Sequence, residues 1–145
     1  MTSELEVVNI ECIRGNRSLF SGLNFSLHSG QLQYVEGKNG AGKTSLLRIL
    51  TGLSLPESGQ ILWHGQDIRK DKEGYYRNLG YIGHSDGIKL DLSPFENLEN
   101  YLALNVLNPY LDVETALDRV GLHEFRHQPC HTLSAGQCRR AAIAR

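Results

Sequence analysis

The stretch Gly37–Thr44, GKNGAGKT, fits the pattern G-x-x-x-x-G-K-[ST], with Gly37, Gly42, Lys43 and Thr44 at the fixed positions. That pattern is a phosphate-cradling loop. Glycines let the backbone curl around an anion so that successive N–H groups point inward, which a residue with a bulky side chain prevents. Lys43 is placed to reach the outer phosphates of a nucleotide, and the Thr44 hydroxyl to serve as a ligand for Mg²⁺. A helix over Lys43–Leu50 then adds the positive end of its dipole to the same site. The bland alternative is a glycine-rich turn that happens to precede a helix. The flanks argue against it. Gln31–Glu36, QLQYVE, reads as a buried strand entering the loop, and SLLRILTGL as an apolar-faced helix leaving it, with Gly52 at its C-terminal cap.

The chain as a whole, 145 residues that are 40% hydrophobic and 21% charged, suits one globular domain. Fifteen basic against sixteen acidic residues leave a net charge of −1, so there is no electrostatic case for nucleic acid as a partner. No apolar run approaches the roughly 18 residues of a membrane span, and MTSELEVVNIE lacks the basic and apolar regions of a secretory leader. Cys12, Cys130 and Cys138 are odd in number and widely spaced, which fits reduced thiols in the cytosol. His123, His127, Cys130, His131 and Cys138 cluster in sequence, but their spacing matches no zinc pattern and C-x-x-C-H is absent. They read as a polar loop with solvated histidines.

Leu5–Ile13 and Leu23–His28 alternate as strands with one buried face, with NRSLFSG between them. After the first helix SLPESG turns the chain and Gln60–His64 forms another strand; HGQDIRKDKEGYYRN reads as charged surface, and Leu79–Gly83 as a second buried core strand. From there the pattern turns helical. Ser93-Pro94-Phe95-Glu96 is a capping box with proline at the first helical position; Asp112 caps VETALDRV, which Gly121 closes. The coarse division is a β-layer and phosphate-loop core over 1–84, a small helical subdomain over 85–132, and a second motif over 133–145.

That second motif is LSAGQ, Leu133–Gln137, followed by CRRAAIAR. Ser134 and Gln137 form another S-x-x-Q box, which puts the serine hydroxyl and the Gly136 N–H at a helix N-terminus able to bind an anion. Alone it would read as an ordinary capped helix. Paired with the upstream phosphate loop it resembles the ATP-binding subunits of ABC transporters: GKNGAGKT is similar to their Walker A motif and LSAGQ to their signature motif, with Ala135 where glycine is commoner. The resemblance implies the α/β P-loop NTPase fold of the ABC-type nucleotide-binding domain, a mixed-sheet core plus a small helical subdomain. It implies ATP and Mg²⁺ at Gly37, Lys38, Asn39, Gly40, Ala41, Gly42, Lys43, Thr44 and Ser45, with Thr44 on the metal. A second copy pairs head to tail, so that Ser134, Gly136 and Gln137 meet the ATP of the partner subunit.

LFSGLNFSLHSG, ILWHGQDI, YIGHSDGIK, LSPFENL and TLSAGQCRRAAIAR narrow the resemblance to the haem-export ATPases of c-type cytochrome biogenesis. That group implies a peripheral place on the cytoplasmic side of the inner membrane, beside a multispanning permease subunit and other cytochrome c maturation proteins. An ATPase for another transported substrate is the alternative. Two positions depart from the broad family. His84 stands where most relatives have a glutamine that organises Mg²⁺ and the attacking water, and is the candidate catalytic residue; an imidazole can donate or accept in its place. Arg14 stands where an aromatic residue usually stacks on adenine, and a guanidinium plane can stack likewise. The short span between the motifs leaves no room for the coiled coil of DNA-repair relatives, and a simple P-loop kinase would not explain LSAGQ. The sequence contains no apolar strand followed by Asp-Glu. The chain is therefore expected to be a C-terminally incomplete domain that, alone, neither hydrolyses ATP nor folds cooperatively, with apolar groups of QLQYVE left exposed.

Overall fold

The computed structural model describes residues 4–104 and 112–145. Residues 105–111, within the subdomain expected over 85–132, lie outside the described residues. The chain forms two compact units, Met1–Gly80 and Tyr81–Arg145.

The first unit is built on an antiparallel sheet of order β2-β1-β3-β4, with β1 Leu5–Arg14, β2 Arg17–Leu27, β3 Ser58–Trp63 and β4 Gln66–Asp67. The expected gap NRSLFSG is instead mostly strand: Cys12 pairs with Phe20 and Arg14 with Arg17 across a tight hairpin. β1 carries a bulge. The register shifts between Val7 and Ile10, and Asn9 takes φ 50° while its N–H donates to Asn24 Oδ1 at 2.7 Å. The extra residue resets the two-residue alternation, so Val7, Ile10 and Cys12 are all buried although their spacing is uneven.

Two helices complete this unit's core, α1 Lys43–Leu50 and α2 Lys72–Arg77. α1 buries Leu46 and Ile49, one apolar stripe three residues apart, and closes at Thr51 and Gly52 as expected, with Gly52 N–H donating to the Ile49 carbonyl at 3.0 Å. The charged stretch before residue 79 is less superficial than its composition suggests. Ile68 and Tyr75 enter the core, and the Tyr75 hydroxyl donates to the Leu50 carbonyl at 2.7 Å. Asp71 caps α2 by accepting from Gly74 N–H at 2.9 Å.

Two expected strands are corrected. Gln31–Glu36 and Leu79–Gly83 are irregular, with Leu32 95% and Tyr34 75% exposed. A strand is held by its neighbours' N–H and C=O groups, and among the described residues no strand pairs with either segment.

The second unit packs α3 Pro94–Leu104, α4 Val113–Arg119 and α5 Ala135–Ile143 around Leu98, Leu117, Leu122 and Ala141. The Ser93 box forms as the sequence predicts: Ser93 N–H donates to Glu96 Oε2 at 2.8 Å and Glu96 N–H to Ser93 Oγ at 3.2 Å. Buried Asn97 binds Lys89 through both ends of its amide, accepting from the Lys89 N–H and donating to its carbonyl, and so ties the preceding loop to α3. Asp112 caps α4 and Gly121 closes it.

Candidate functional site

The first unit presents the phosphate loop. Residues 37–41 are exposed, and Gly42 is the N-cap of α1 at φ 97°, ψ 8°, a left-handed conformation. A Cβ at Gly42 would lie 3.1 Å from Leu19 Cβ and from two ring carbons of Phe20. The loop is thus seated against β2, a contact the sequence did not announce. Gly40 is also left-handed, at φ 81°, with open space on its side-chain face. Inside the loop Ala41 N–H donates to the Lys38 carbonyl at 3.1 Å, and the Lys43 ammonium donates to the carbonyls of Gly37 (2.5 Å) and Lys38 (3.0 Å). A cation is therefore held across the loop mouth at the positive end of an eight-residue helix. Asn39 lies in the exposed loop, and Thr44 and Ser45 occupy the first turn of α1, Thr44 exposed. Glycine conformation, loop-bound ammonium and helix terminus together fit a phosphate chain. Thr44 offers an exposed hydroxyl on this turn that a hydrated Mg²⁺ could reach. Arg14 lies at the tip of the β1–β2 hairpin and is exposed.

The second unit holds the other motif. Ser134 is the N-cap of α5: its Oγ accepts from Gln137 N–H at 3.2 Å, and its N–H donates to Gln137 Oε1 at 2.8 Å, a complete capping box. Gln137 contributes its backbone N–H and Oε1 to the cap, while Ser134, Ala135 and Gly136 are exposed at the helix N-terminus. His84 is exposed on the turn that precedes α3. Two arginines of the α5 segment reach this turn, Arg139 to Gly83 and Asp86, and Arg145 to Asp86 and Gly87. Nothing in the spacing of CRRAAIAR pointed to them.

The histidine and cysteine cluster divides among separate tasks. His123 pairs with Asp118, the His127 ring lies 5.2 Å from that of Phe95, and His131 Nδ1 sits 3.3 Å from the Leu90 carbonyl. Cys130 is buried, and burial pushes its thiol up to about 11, so it is protonated and unreactive at neutral pH.

A glycine-rich loop opening into a helix, a β-layer beside it and a capped helix in a separate helical unit are the elements expected of an ABC-type nucleotide-binding domain. The ABC transporter family model matches residues 20–145, and the chain belongs to that family. Among curated relatives it is 50% identical over 137 residues to the cytochrome c biogenesis ATP-binding export protein CcmA of Methylococcus capsulatus, covering 94% of this chain and 66% of that protein. The CcmA of Haemophilus ducreyi is 47% identical over 99% of this chain and 69% of its own length, and that of Escherichia coli K12 45% identical over 97% and 67%. The chain thus spans about two thirds of the relatives it matches. Among solved structures, CbiO1 of Clostridium perfringens, part of the ABC transporter complex cbiONQ, superposes with a TM-score of 0.80 at 25% identity, over 99% of this chain and 61% of that one. An ATP-binding subunit of an ABC transporter gives 0.82 at 22% identity over 98% and 60%, a likeness of fold alone. Among the described residues no helix is long and apolar enough to cross a membrane.

Proposed function

We propose that the chain is the ATP-binding part of a subunit that couples ATP hydrolysis to haem export or delivery in c-type cytochrome biogenesis. The observation that carries this reading is the evenness of the likeness. Proteins of one name from different bacteria match 94–99% of the chain at 45–50% identity, well above the 22–25% shared with solved ATPases of the same fold. In the full-length subunit the backbone of residues 37–44 cradles the phosphates, Lys43 exchanges the Gly37 and Lys38 carbonyls for phosphate oxygens, and Thr44 holds Mg²⁺. Arg14 stacks on the base. His84 aligns water on the γ-phosphate side, and Ser134 and Gly136 donate to nucleotide bound by a second copy in a head-to-tail dimer. A multispanning permease holds this dimer at the cytoplasmic face of the inner membrane, beside other maturation proteins. The sequence holds no apolar run followed by Asp-Glu, and residues 1–145 by themselves are proposed not to turn ATP over.

The test is deletion of the gene in its host, followed by complementation with the full-length parent and with Lys43→Ala, scored as haem covalently bound to c-type cytochromes. The parent restores the signal and the variant does not. Unaltered c-type cytochromes in the deletion strain would refute the haem assignment and favour an ABC ATPase serving another substrate.

A further inference from the structure

The turn carrying His84 has no ladder or helix to order it, yet its backbone is pinned on both sides of the imidazole. Arg139 Nη1 donates to the Gly83 carbonyl at 2.7 Å and to Asp86 Oδ1 at 2.9 Å. Arg145 donates through Nη1 to the Gly87 carbonyl at 2.9 Å and through Nη2 to the Asp86 carbonyl at 2.8 Å. Arg145 is itself braced, its guanidinium 5.5 Å from the centre of the Tyr101 ring on α3. Three of the four bonds end on backbone carbonyls, so they fix the course of the turn rather than the rotamer of one side chain. The Arg139–Asp86 ion pair is too exposed, at 41% and 27%, to contribute much by charge alone. The rigid guanidinium plane fixes where its N–H groups point, which a lysine ammonium on a flexible stem does not, and Arg145 engages its two acceptors through both arms of the fork.

We infer that Arg139 and Arg145 are positioning residues that lock the His84 turn to the signature helix. The helix N-terminus that meets one nucleotide and the imidazole that serves another then belong to one rigid piece. The inference rests on the proposed role of His84 beside the γ-phosphate. It gives two of the three arginines of CRRAAIAR a task distinct from binding nucleotide.

The experiment is a kinetic cycle in the full-length ATPase assembled with its membrane partner, using His84→Ala, Arg139→Ala and the double variant, with Arg139→Lys alongside. Displacing a group that orients a reactant weakens the transition state more than ground-state binding. Arg139→Ala is therefore expected to lower kcat about tenfold while KM for ATP changes less than about twofold. The double variant turns over no more slowly than His84→Ala, and Arg139→Lys recovers only part of the rate. Losses that multiply in the double variant would overturn the inference, because Arg139 would then act independently of His84. A parental kcat for Arg139→Ala beside a slow His84→Ala overturns it too, leaving the role of His84 intact. A parental kcat for His84→Ala sinks both. If Arg139→Ala does not fold, Arg139→Lys is run through the same cycle and judged by the same coupling.

Discussion

Substituting Gly42 by alanine tests how the phosphate loop is held. At φ 97° an L-residue carries a backbone penalty of about 1–2 kcal/mol. The new methyl would also sit 3.1 Å from Leu19 Cβ and from Phe20 Cδ1 and Cε1. Both neighbours are only half-buried and can yield by a few tenths of an ångström, so this overpacking falls at the low end of its range, about 1 kcal/mol. The two costs together are about 2–3 kcal/mol against the loop conformation that receives the phosphates, or a roughly 30- to 150-fold weaker ATP affinity. Two controls separate the costs. Gly40→Ala has a left-handed backbone but open space, so it bears the backbone cost alone and loses roughly 5- to 30-fold. Gly80→Ala has neither and binds like the parent. The assay is titration of the full-length protein with a fluorescent ATP analogue, with a thermal melt of each variant to establish folding. Affinity for Gly42→Ala within about threefold of the parent, or weaker binding by Gly40→Ala than by Gly42→Ala, would refute the seating of the loop on β2.

Lys43→Ala is expected to abolish nucleotide binding while leaving the melt nearly unchanged, since alanine is a good helix former at the start of α1; retained ATP affinity would remove the phosphate-loop assignment. Tyr75→Phe deletes the hydroxyl that donates to the Leu50 carbonyl and should cost about 1 kcal/mol in denaturant unfolding, with ATP affinity unaltered. Glu96 is held below its ordinary value of 4.5, first by the Ser93 backbone N–H and then by the Ser93 hydroxyl. Its stabilisation is present in full above the unfolded value and is lost as pH falls through the lower folded one. An acid titration of the second unit should accordingly lose this leg in Glu96→Gln; identical profiles for parent and variant would refute it.

Features that depend on neighbours in the chain were legible without coordinates. The bounds of α1, the boxes at Ser93 and Ser134, the Asp112 cap and the Gly52 and Gly121 closures all rest on hydrogen bonds spanning three to five residues, which a short window of sequence contains. The phosphate loop belongs with them, because its function requires residue types at fixed spacing. What needed the tertiary structure depends on partners far away in sequence. Phe20 seats Gly42, Tyr75 closes over the end of α1, and Arg139 reaches back to Gly83, in each case across more than twenty residues. The bulge at Asn9 likewise changes which residues of β1 face inward, and simple alternation misses it. Gln31–Glu36 and Leu79–Gly83 mark the boundary. Their apolar pattern was read from sequence, but a strand exists only when another strand meets its backbone, and no pattern within one segment supplies that neighbour.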